Sequence, residues 1–386
     1  MFRLAERMLK IPPYLFAEID EMKRRKLQEG VKVIDLGVGD PDLPTPRHIV
    51  EALKSSAEKV ERQKYPSYEG MLEFRQAVCE FYERRKGVKL DAEREVIALI
   101  GSKEGIAHLP LAFVDPGDYV IVPDPGYPVY HAAALLADGV PYHLPLREEN
   151  GFLPDLGEVP DEVARKAKIL YLNYPNNPTA AVIEDRRWMK EVVDFCLDNK
   201  IILAHDAAYA ELTFDGYRSP SFLEIEEAFE VAIEFNSLSK TFNMTGWRIG
   251  FACGSEEVLR GLLRVKTNVD SGVFEAIQEA AIAALRSPDS VIEENCRVFA
   301  ERRRVFVEIL REAGFEVSMP KATFYVWLRV GESSVEFVKK LLDVGVLATP
   351  GVGFGEYGEG YVRFAMTRSI ELIEEAANRI AELRKV

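Results

Sequence analysis

Lys240 lies within residues 237–250, SLSKTFNMTGWRIG, the part of the chain whose residue types most clearly suggest chemistry. Hydroxyl groups of Ser237 and Ser239 precede the lysine, and Arg248 follows it. A lysine amine must lose its proton to attack an aldehyde, and partial burial beside another cation favours the neutral form. An arginine presents a fixed fork of donors that suits a phosphate. The segment therefore predicts a Schiff-base lysine close to a phosphate, the alternative being an ordinary surface lysine.

The elements that would position this lysine are visible as short apolar runs bounded by turn residues. These runs cover residues 96–100, 119–122, 169–172, 201–204 and 231–235. Uninterrupted hydrophobicity is typical of parallel strands buried on both faces, and stretches with helical spacing lie between the runs. The pattern predicts a doubly wound α/β domain, in which ligands lie outside the carboxyl ends of the strands.

The pattern changes after residue 272. Spacing of apolar residues predicts helices over 274–285, 291–312 and 370–385, with strands over 323–330 and 360–366. This arrangement indicates a second, smaller α+β domain. We expect residues 43–287 to form the large domain, and residues 1–42 and 288–386 to form the small domain with an N-terminal arm.

Composition excludes several classes of function. The 386 residues include 49 Lys plus Arg against 63 Asp plus Glu, a net charge of −14, which argues against nucleic-acid and anionic-membrane partners. The four cysteines and five histidines are scattered and form no metal-binding pattern, so we expect no metal site and a reducing compartment. We find neither a signal peptide nor a membrane-spanning run, and expect a cytoplasmic protein.

Further motifs stand near the ends of the apolar runs: GSKEG at 101–105, DPGYP at 124–128, YPNNPT at 174–179, Asp206 with Tyr209, and YVRFAM at 361–366. With the segment around Lys240, they resemble the class I and II aminotransferases over essentially the whole chain. The resemblance implies fold type I, with a mostly parallel sheet covered by helices in the large domain. It also implies pyridoxal 5′-phosphate as cofactor, an amino acid and a 2-oxo acid as substrates, and a homodimer with shared active sites.

The resemblance assigns the cofactor's covalent attachment to Lys240. Contacts with the cofactor phosphate are assigned to Ser237, Arg248 and, from the neighbouring subunit, Tyr65. Ser102, Lys103 and Ser239 are also expected to bind the cofactor, although Lys103 could instead reach a substrate carboxylate. The GSKEG turn suits this role because free N–H groups at the start of a helix attract anions.

Four residues are assigned to the cofactor ring by the same resemblance. Asp206 pairs with the pyridine nitrogen, Tyr209 and Asn177 bind the 3′ oxygen, and Tyr127 stacks on the ring. A carboxylate beside the nitrogen keeps it protonated, so the ring works as an electron sink. The ordinary alternatives are a helix N-cap for the aspartate and a plain Asn-Pro turn for the asparagine. Ala180 departs from the family pattern, which has glycine there, and would be strained if its φ were positive.

Substrate contacts also follow from the resemblance. Arg363 binds the substrate α-carboxylate, although an edge-strand arginine could instead face solvent. The remaining contacts are assigned to Tyr14, Gly39, Lys103, Tyr127, Asn177 and, from the neighbouring subunit, Asn268.

The expected amino donor is LL-diaminopimelate, with 2-oxoglutarate as acceptor in lysine biosynthesis. Segments 11–16 and 35–42 resemble those of family members that act on this donor. Its second carboxylate needs a cation, for which Lys103 is the candidate, and its distal ammonium needs an acceptor, for which Glu69 is a candidate. Aspartate, alanine and aromatic donors stay open, as does a C–S lyase reaction. A DNA-binding regulator is disfavoured by the net charge of −14.

Overall fold

The computed structural model describes residues 2–11 and 16–384, so Tyr14 lies outside the described residues. The strands are β1 (Ile34–Asp35), β2 (Val96–Leu99), β3 (Tyr119–Asp124), β4 (Val140–Pro145), β5 (Ala167–Asn173), β6 (Ile202–Asp206), β7 (Ala232–Ser237), β8 (Gly250–Gly254), β9 (Tyr325–Arg329), β10 (Val346–Leu347), β11 (Thr349–Pro350) and β12 (Tyr361–Ala365). The helices are α1 (Glu6–Lys10), α2 (Phe16–Gln28), α3 (Arg47–Ala57), α4 (Leu72–Lys86), α5 (Ser102–Phe113), α6 (Val129–Leu136), α7 (Asp161–Lys166), α8 (Arg186–Asn199), α9 (Leu238–Thr241), α10 (Glu256–Val269), α11 (Glu275–Leu285), α12 (Ser290–Glu312), α13 (Ser334–Asp343) and α14 (Ile370–Glu382).

A seven-stranded sheet has the order β2-β8-β7-β6-β5-β3-β4. All neighbours are parallel except β8, which runs antiparallel to β2 and β7. Strands β5, β6 and β7 are buried almost throughout, which explains their uninterrupted apolar runs. The predicted α/β fold is confirmed. The edge strand β4 and the antiparallel strand β8 were not predicted, because partial exposure and glycines weaken their apolar patterns.

A second, antiparallel sheet has the order β11-β12-β9. Helices α12 and α14 pack on each other beside it, and their apolar residues share one core with the sheet. The parallel pair β1–β10 brings Ile34 into this core from the N-terminal part of the chain. The core also contains Tyr209 and Leu212, which follow β6 of the larger sheet. The two sheets are therefore joined where the chain leaves β6.

The carboxyl ends of the parallel strands meet at one edge of the large sheet. In the register, Asn173 at the end of β5 pairs with Asp206 at the end of β6. Ser237 ends β7, and its side chain caps the short helix α9 by accepting a hydrogen bond from the Ser239 amide. Polar side chains from three strands are therefore held side by side. Within the described residues, none of the helices is both long and apolar enough to cross a membrane.

Candidate active site

A cavity of about 460 Å³ opens at this edge, between the two sheets. It brings together most of the residues that the sequence analysis singled out: Gly39, Ser102, Lys103, Tyr127, Asn177, Asp206, Tyr209, Ser237, Ser239, Lys240, Arg248 and Arg363. Strand ends, the start of α5, helix α9 and strand β12 supply these side chains. Residues far apart in the sequence are thus gathered around one space.

Two of the selected residues lie away from this cavity. The side chain of Tyr65 is 90% exposed. Asn268, at the end of α10, is also exposed, and its amide donates to the Arg264 carbonyl oxygen at 2.8 Å. Both are assigned by the resemblance to the active site of a neighbouring subunit, and this assignment stays a prediction.

Lys240 reaches into the cavity from α9. Its Nζ atom donates a 2.9 Å hydrogen bond to the Gly39 carbonyl oxygen. The pKa of this amine is lowered to about 8, mainly by burial; Asp40 opposes the shift, and the positive charges of Arg248 and Arg363 contribute to it. A substantial fraction of the amine is therefore neutral near pH 8, as a nucleophilic or proton-accepting lysine requires.

Asp206 is buried at the base of the cavity. The Tyr130 hydroxyl donates to its Oδ2 atom at 2.7 Å, and the Ala208 amide donates to its Oδ1 atom at 3.2 Å. Burial raises the pKa of Asp206, whereas these two hydrogen bonds and the nearby His205 lower it. The carboxyl group is thus held in one orientation, where it can bind a protonated nitrogen.

Hydroxyl groups and a cation cluster at one end of the cavity. Ser237 and Ser239 come from the junction of β7 and α9, and Ser102 begins α5. Arg248 lies beside them with its guanidinium so close to Gly101 that a Cβ at that glycine would be 2.5 Å from Nη2. Glycine suits this position because its φ is 76°, a conformation that L side chains rarely adopt. The start of a helix, hydroxyls and a guanidinium together form an anion site.

From the small sheet, Arg363 on β12 lines the same cavity and is held by three kinds of contact. Its Nη1 atom donates to Asn177 Oδ1 at 2.6 Å, and its Nη2 atom donates to the Gly37 carbonyl oxygen at 2.8 Å. The guanidinium lies over the rings of Tyr325 and Phe354, 4.2 and 4.6 Å from their centroids. Its Nε atom is buried with no hydrogen-bond partner among the described residues, so this N–H group is left for a ligand.

The turn that carries Asn177 is tied to β5. The Asn177 amide donates to Asn173 Oδ1 at 2.8 Å, and the Ala180 amide donates to the Asn176 carbonyl oxygen at 3.0 Å. Ala180 has a φ of 59°, in the left-handed region. The glycine usual in the family would adopt this conformation without strain, whereas alanine does so at a cost. The turn keeps its shape through these hydrogen bonds.

Several cavity residues were not singled out from the sequence. Tyr325 on β9 shares a 3.1 Å hydrogen bond with the Tyr209 hydroxyl, and a Cβ at Gly39 would overlap its hydroxyl group. Asp20 and Lys23 reach the cavity from α2. No local motif marks these side chains, because only the tertiary fold brings α2 and β9 to the cavity.

The side chains fit pyridoxal phosphate. The anion site of Ser102, Ser237, Ser239 and Arg248 suits a phosphate, and the buried carboxylate of Asp206 suits a pyridine nitrogen that carries a proton. Lys240, with its pKa lowered to about 8, suits an aldehyde. Because these three groups line a single cavity, one molecule can satisfy them together.

Comparisons with known proteins agree with this chemistry. The chain matches the family model "Aminotransferase class I and II" over residues 31–380. It is 53% identical over 387 residues to the LL-diaminopimelate aminotransferase of Aquifex aeolicus, covering 100% of both chains, and 52% identical to that of Moorella thermoacetica, covering 97% of both.

Solved structures show the same fold. Substrate-bound BacF from Bacillus subtilis superposes with a TM-score of 0.93 at 37% identity, covering 99% of this chain and 98% of that one. A probable N-succinyldiaminopimelate aminotransferase from Thermus thermophilus gives 0.90 at 40% identity, covering 95% and 99%. From its family match, its full-length relatives and its cavity, the chain belongs to the class I and II aminotransferases, pyridoxal-phosphate enzymes that transfer amino groups between amino acids and 2-oxo acids.

Proposed function

We propose that this enzyme transfers an amino group from LL-diaminopimelate to 2-oxoglutarate in lysine biosynthesis. Support comes first from relatives named LL-diaminopimelate aminotransferase that are about half identical over nearly the whole chain. The observation that carries the proposal in the structure is the charge of the cavity wall, which offers groups for both carboxylates and for the distal ammonium of this donor.

Arg363 binds the α-carboxylate of every donor in this proposal. Its guanidinium is fixed by Asn177 and Gly37, and its Nε atom is free to donate. A carboxylate held by a fixed arginine has one orientation, so the Cα–H bond is aligned for cleavage. Asn177 keeps the arginine in place and also faces the cavity, where it is proposed to contact the cofactor's 3′ oxygen together with Tyr209.

Lys240 moves the proton at the substrate Cα. Pyridoxal phosphate, when bound, supplies a conjugated ring that accepts the electron pair released there. Asp206 holds a proton on the ring nitrogen, which strengthens that electron withdrawal. The lowered pKa of Lys240 allows the amine to accept a proton near neutral pH and to return it in the next step.

The phosphate is proposed to bind at the site formed by Ser102, Ser237, Ser239 and Arg248. Tyr127, also in the cavity wall, is proposed to stack on the cofactor ring. Burial raises the pKa of Tyr127 to about 12, with a further contribution from Asp206, so its phenol stays neutral. We assign Lys103 to the substrate, because Arg248 and three hydroxyls already satisfy the anion site.

The distal end of the donor is assigned to Lys103 and Asp20. Within the part of the chain that the structure describes, neither side chain has a hydrogen-bond or ion-pair partner. The other acids of the cavity are engaged: Asp206 is bound by Tyr130, and Asp35 is paired with Lys23. Asp20 is therefore the better acceptor for the distal ammonium, because Glu69 does not line this cavity in its own chain.

We propose a homodimer whose subunits share their active sites. Tyr65 and Val269 are 90% and 57% exposed, and the segments that carry them lie next to each other, since a Cβ at Gly272 would be 2.8 Å from the Ser67 carbonyl oxygen. A second copy of the chain packed on this surface would bury Tyr65 and Val269. Tyr65 and Asn268 would then reach the active-site cavity of that second copy. Molecular mass in solution by light scattering tests this proposal, with a monomer as the contradicting result.

The proposal also includes the division into domains and the location of the enzyme. We divide the chain into a large domain, residues 43–287, and a small domain of residues 1–42 and 288–386. Helix α12 starts on the first core at Ile292 and continues into the second at Phe299. We place the enzyme in the cytoplasm, as the scattered cysteines suggest.

The competing activity is a C–S lyase, because the same electron sink can serve bond cleavage at Cβ. The experiment incubates the holoenzyme with LL-diaminopimelate plus 2-oxoglutarate, and separately with cystathionine alone. Glutamate formation in the first reaction, without pyruvate or ammonia in the second, supports the proposal. Release of pyruvate and ammonia without consumption of 2-oxoglutarate would establish the lyase instead.

A further inference from the structure

We propose that His205 is a doubly protonated positioning residue whose positive charge keeps Asp206 ionised for its partner, the cofactor's ring nitrogen. This inference rests on the role proposed above for Asp206. His205 precedes Asp206 on β6, so the two side chains point to opposite faces of the sheet. The side chains of His205 and Glu234 are each 1% exposed, and neither lines the cavity.

Both ring nitrogens of His205 face an acceptor. Nε2 lies 3.0 Å from the Tyr174 carbonyl oxygen, and Nδ1 lies 2.8 Å from Glu234 Oε1. A carbonyl oxygen can only accept a hydrogen bond, so Nε2 carries a hydrogen. A neutral imidazole would have a bare Nδ1, which fits only a protonated Glu234, whereas an ionised Glu234 requires a hydrogen on Nδ1 as well. The charge of Glu234 therefore decides the charge of His205.

Glu234 is surrounded by donors. The Phe222 amide donates to Oε1 at 2.9 Å, and the hydroxyls of Ser221 and Tyr82 donate to Oε2 at 2.6 and 3.0 Å. Each hydroxyl already accepts a bond elsewhere, Tyr82 from the Asn236 amide group and Ser221 from the Leu223 amide, so its own hydrogen is directed to Glu234.

Three donors besides His205 converge on Glu234, and hydrogen bonds of this kind favour the carboxylate over its protonated form. Burial raises its pKa, but the contacts from His205, Ser221 and the Phe222 amide bring the pKa below its ordinary value. A buried carboxylate at Oε1 requires a hydrogen on His205 Nδ1, so His205 carries hydrogens on both nitrogens. The two residues form a buried ion pair between neighbouring positions of β6 and β7.

The orientation of this pair matters for Asp206. Besides His205, the titratable groups that interact with the charge of Asp206 are the phenols of Tyr127, Tyr130, Tyr171 and Tyr209, all with raised pKa values and therefore neutral. The imidazolium is on the same strand as Asp206, whereas the Glu234 charge is one strand away. The positive end of the pair thus opposes the desolvation that would neutralise Asp206.

The first test is made on the apoprotein, by NMR of histidine labelled with ¹⁵N. The His205 signals are assigned by their absence in His205→Gln. At pH 8 we expect both ring nitrogens of His205 to be protonated in the wild type. In Glu234→Gln we expect one protonated nitrogen, because a buried imidazolium without a counter-ion loses its proton. A wild-type His205 with one bare nitrogen at pH 8 would overturn the proposal, whether or not any variant folds.

The second test examines the holoenzyme with ¹⁵N-labelled pyridoxal phosphate. In Glu234→Gln the ¹⁵N chemical shift of the cofactor's ring nitrogen should move towards the value of an unprotonated ring. The rate of the half-reaction with glutamate should fall about tenfold, which is equivalent to about one pKa unit. Ser221→Ala is the matched control: it removes one hydrogen bond to Glu234 but leaves both charges, so it should lower thermal stability without moving the shift. An unchanged shift in Glu234→Gln, or an equal change in Ser221→Ala, would reduce the pair to a structural role.

Discussion

Arg363 on β12 donates a 2.6 Å hydrogen bond to Asn177 in the turn after β5, and this bond joins the small antiparallel sheet to the large sheet at the active site. The two residues are far apart in the chain, yet each is proposed to contact a different part of the reacting complex. The hydrogen bond sets their relative position before substrate arrives, so part of the ordering cost of binding is removed.

Arg363→Ala and Lys103→Ala should separate the two carboxylates of the donor. Losing a charge-assisted hydrogen bond costs about 1.5–3 kcal/mol, or roughly 10–150-fold in kcat/KM. Arg363→Ala should reduce kcat/KM for all donors alike, since every amino acid has an α-carboxylate. Lys103→Ala should reduce it for LL-diaminopimelate and glutamate but not for alanine. Steady-state kinetics with these three donors decide the matter; an equal loss for all donors in Lys103→Ala, with weaker cofactor binding, would assign Lys103 to the phosphate.

Asp20→Asn tests the acceptor for the distal ammonium. The change removes the negative charge while keeping the size of the side chain, so kcat/KM for LL-diaminopimelate should fall by about 10-fold or more. Glutamate, which has no distal ammonium, should be used as well as before. Glu21→Gln is the matched control, because Glu21 lies on the same helix outside the cavity and pairs with Arg24 and Arg25. Equal losses for both donors would show that Asp20 has no part in selecting the substrate.

The pKa of Lys240 predicts how cofactor loading depends on pH. Its pKa is lowered to about 8, so the reactive neutral amine becomes the main form above that pH and is lost below it. Covalent attachment of pyridoxal phosphate to the apoprotein, trapped with borohydride, should therefore speed up with rising pH and level off above about 8. A midpoint near the ordinary lysine value of about 10.4 would contradict the burial described for this amine. Lys240→Ala should show no attachment at any pH.

Ala180→Gly should stabilise the protein. The φ of 59° at this residue strains alanine, and glycine relieves that strain, although it also gains freedom in the unfolded chain. The net gain should be about 0.5–1 kcal/mol in the free energy of unfolding. Ala181→Gly, at the next residue, is the control and should destabilise, because its φ is not positive. Thermal unfolding of both holoenzymes compares them, and a lower midpoint for Ala180→Gly than for the wild type would contradict the argument.

The sequence was sufficient to predict the site residues that follow the parallel strands. Asp206 ends β6, Asn177 and Lys240 follow β5 and β7 within four residues, and strand ends of a parallel sheet share one edge. Strands β4 and β8 were missed because an edge strand is partly exposed and an antiparallel strand with glycines has a weak pattern.

The remaining cavity residues depend on long-range packing. Tyr325 reaches the cavity because β9 pairs with β12, and Asp20 because α2 lies beside the cavity. Neither position follows a motif, and the pairing of distant strands has no local signature. The buried pair of His205 and Glu234 likewise has no signature in the local sequence, because its two members are aligned only by the register of β6 and β7.

The measurement that tests the central proposal most directly is kcat/KM for LL-diaminopimelate with 2-oxoglutarate, set beside the values for aspartate, alanine and tyrosine under the same conditions. The cavity charges of Lys103, Asp20 and Arg363 predict that LL-diaminopimelate has the highest value, because it alone among these donors engages all three. A preference for aspartate or tyrosine would contradict the proposed substrate, while glutamate formation from those donors would leave the enzyme an aminotransferase of different specificity.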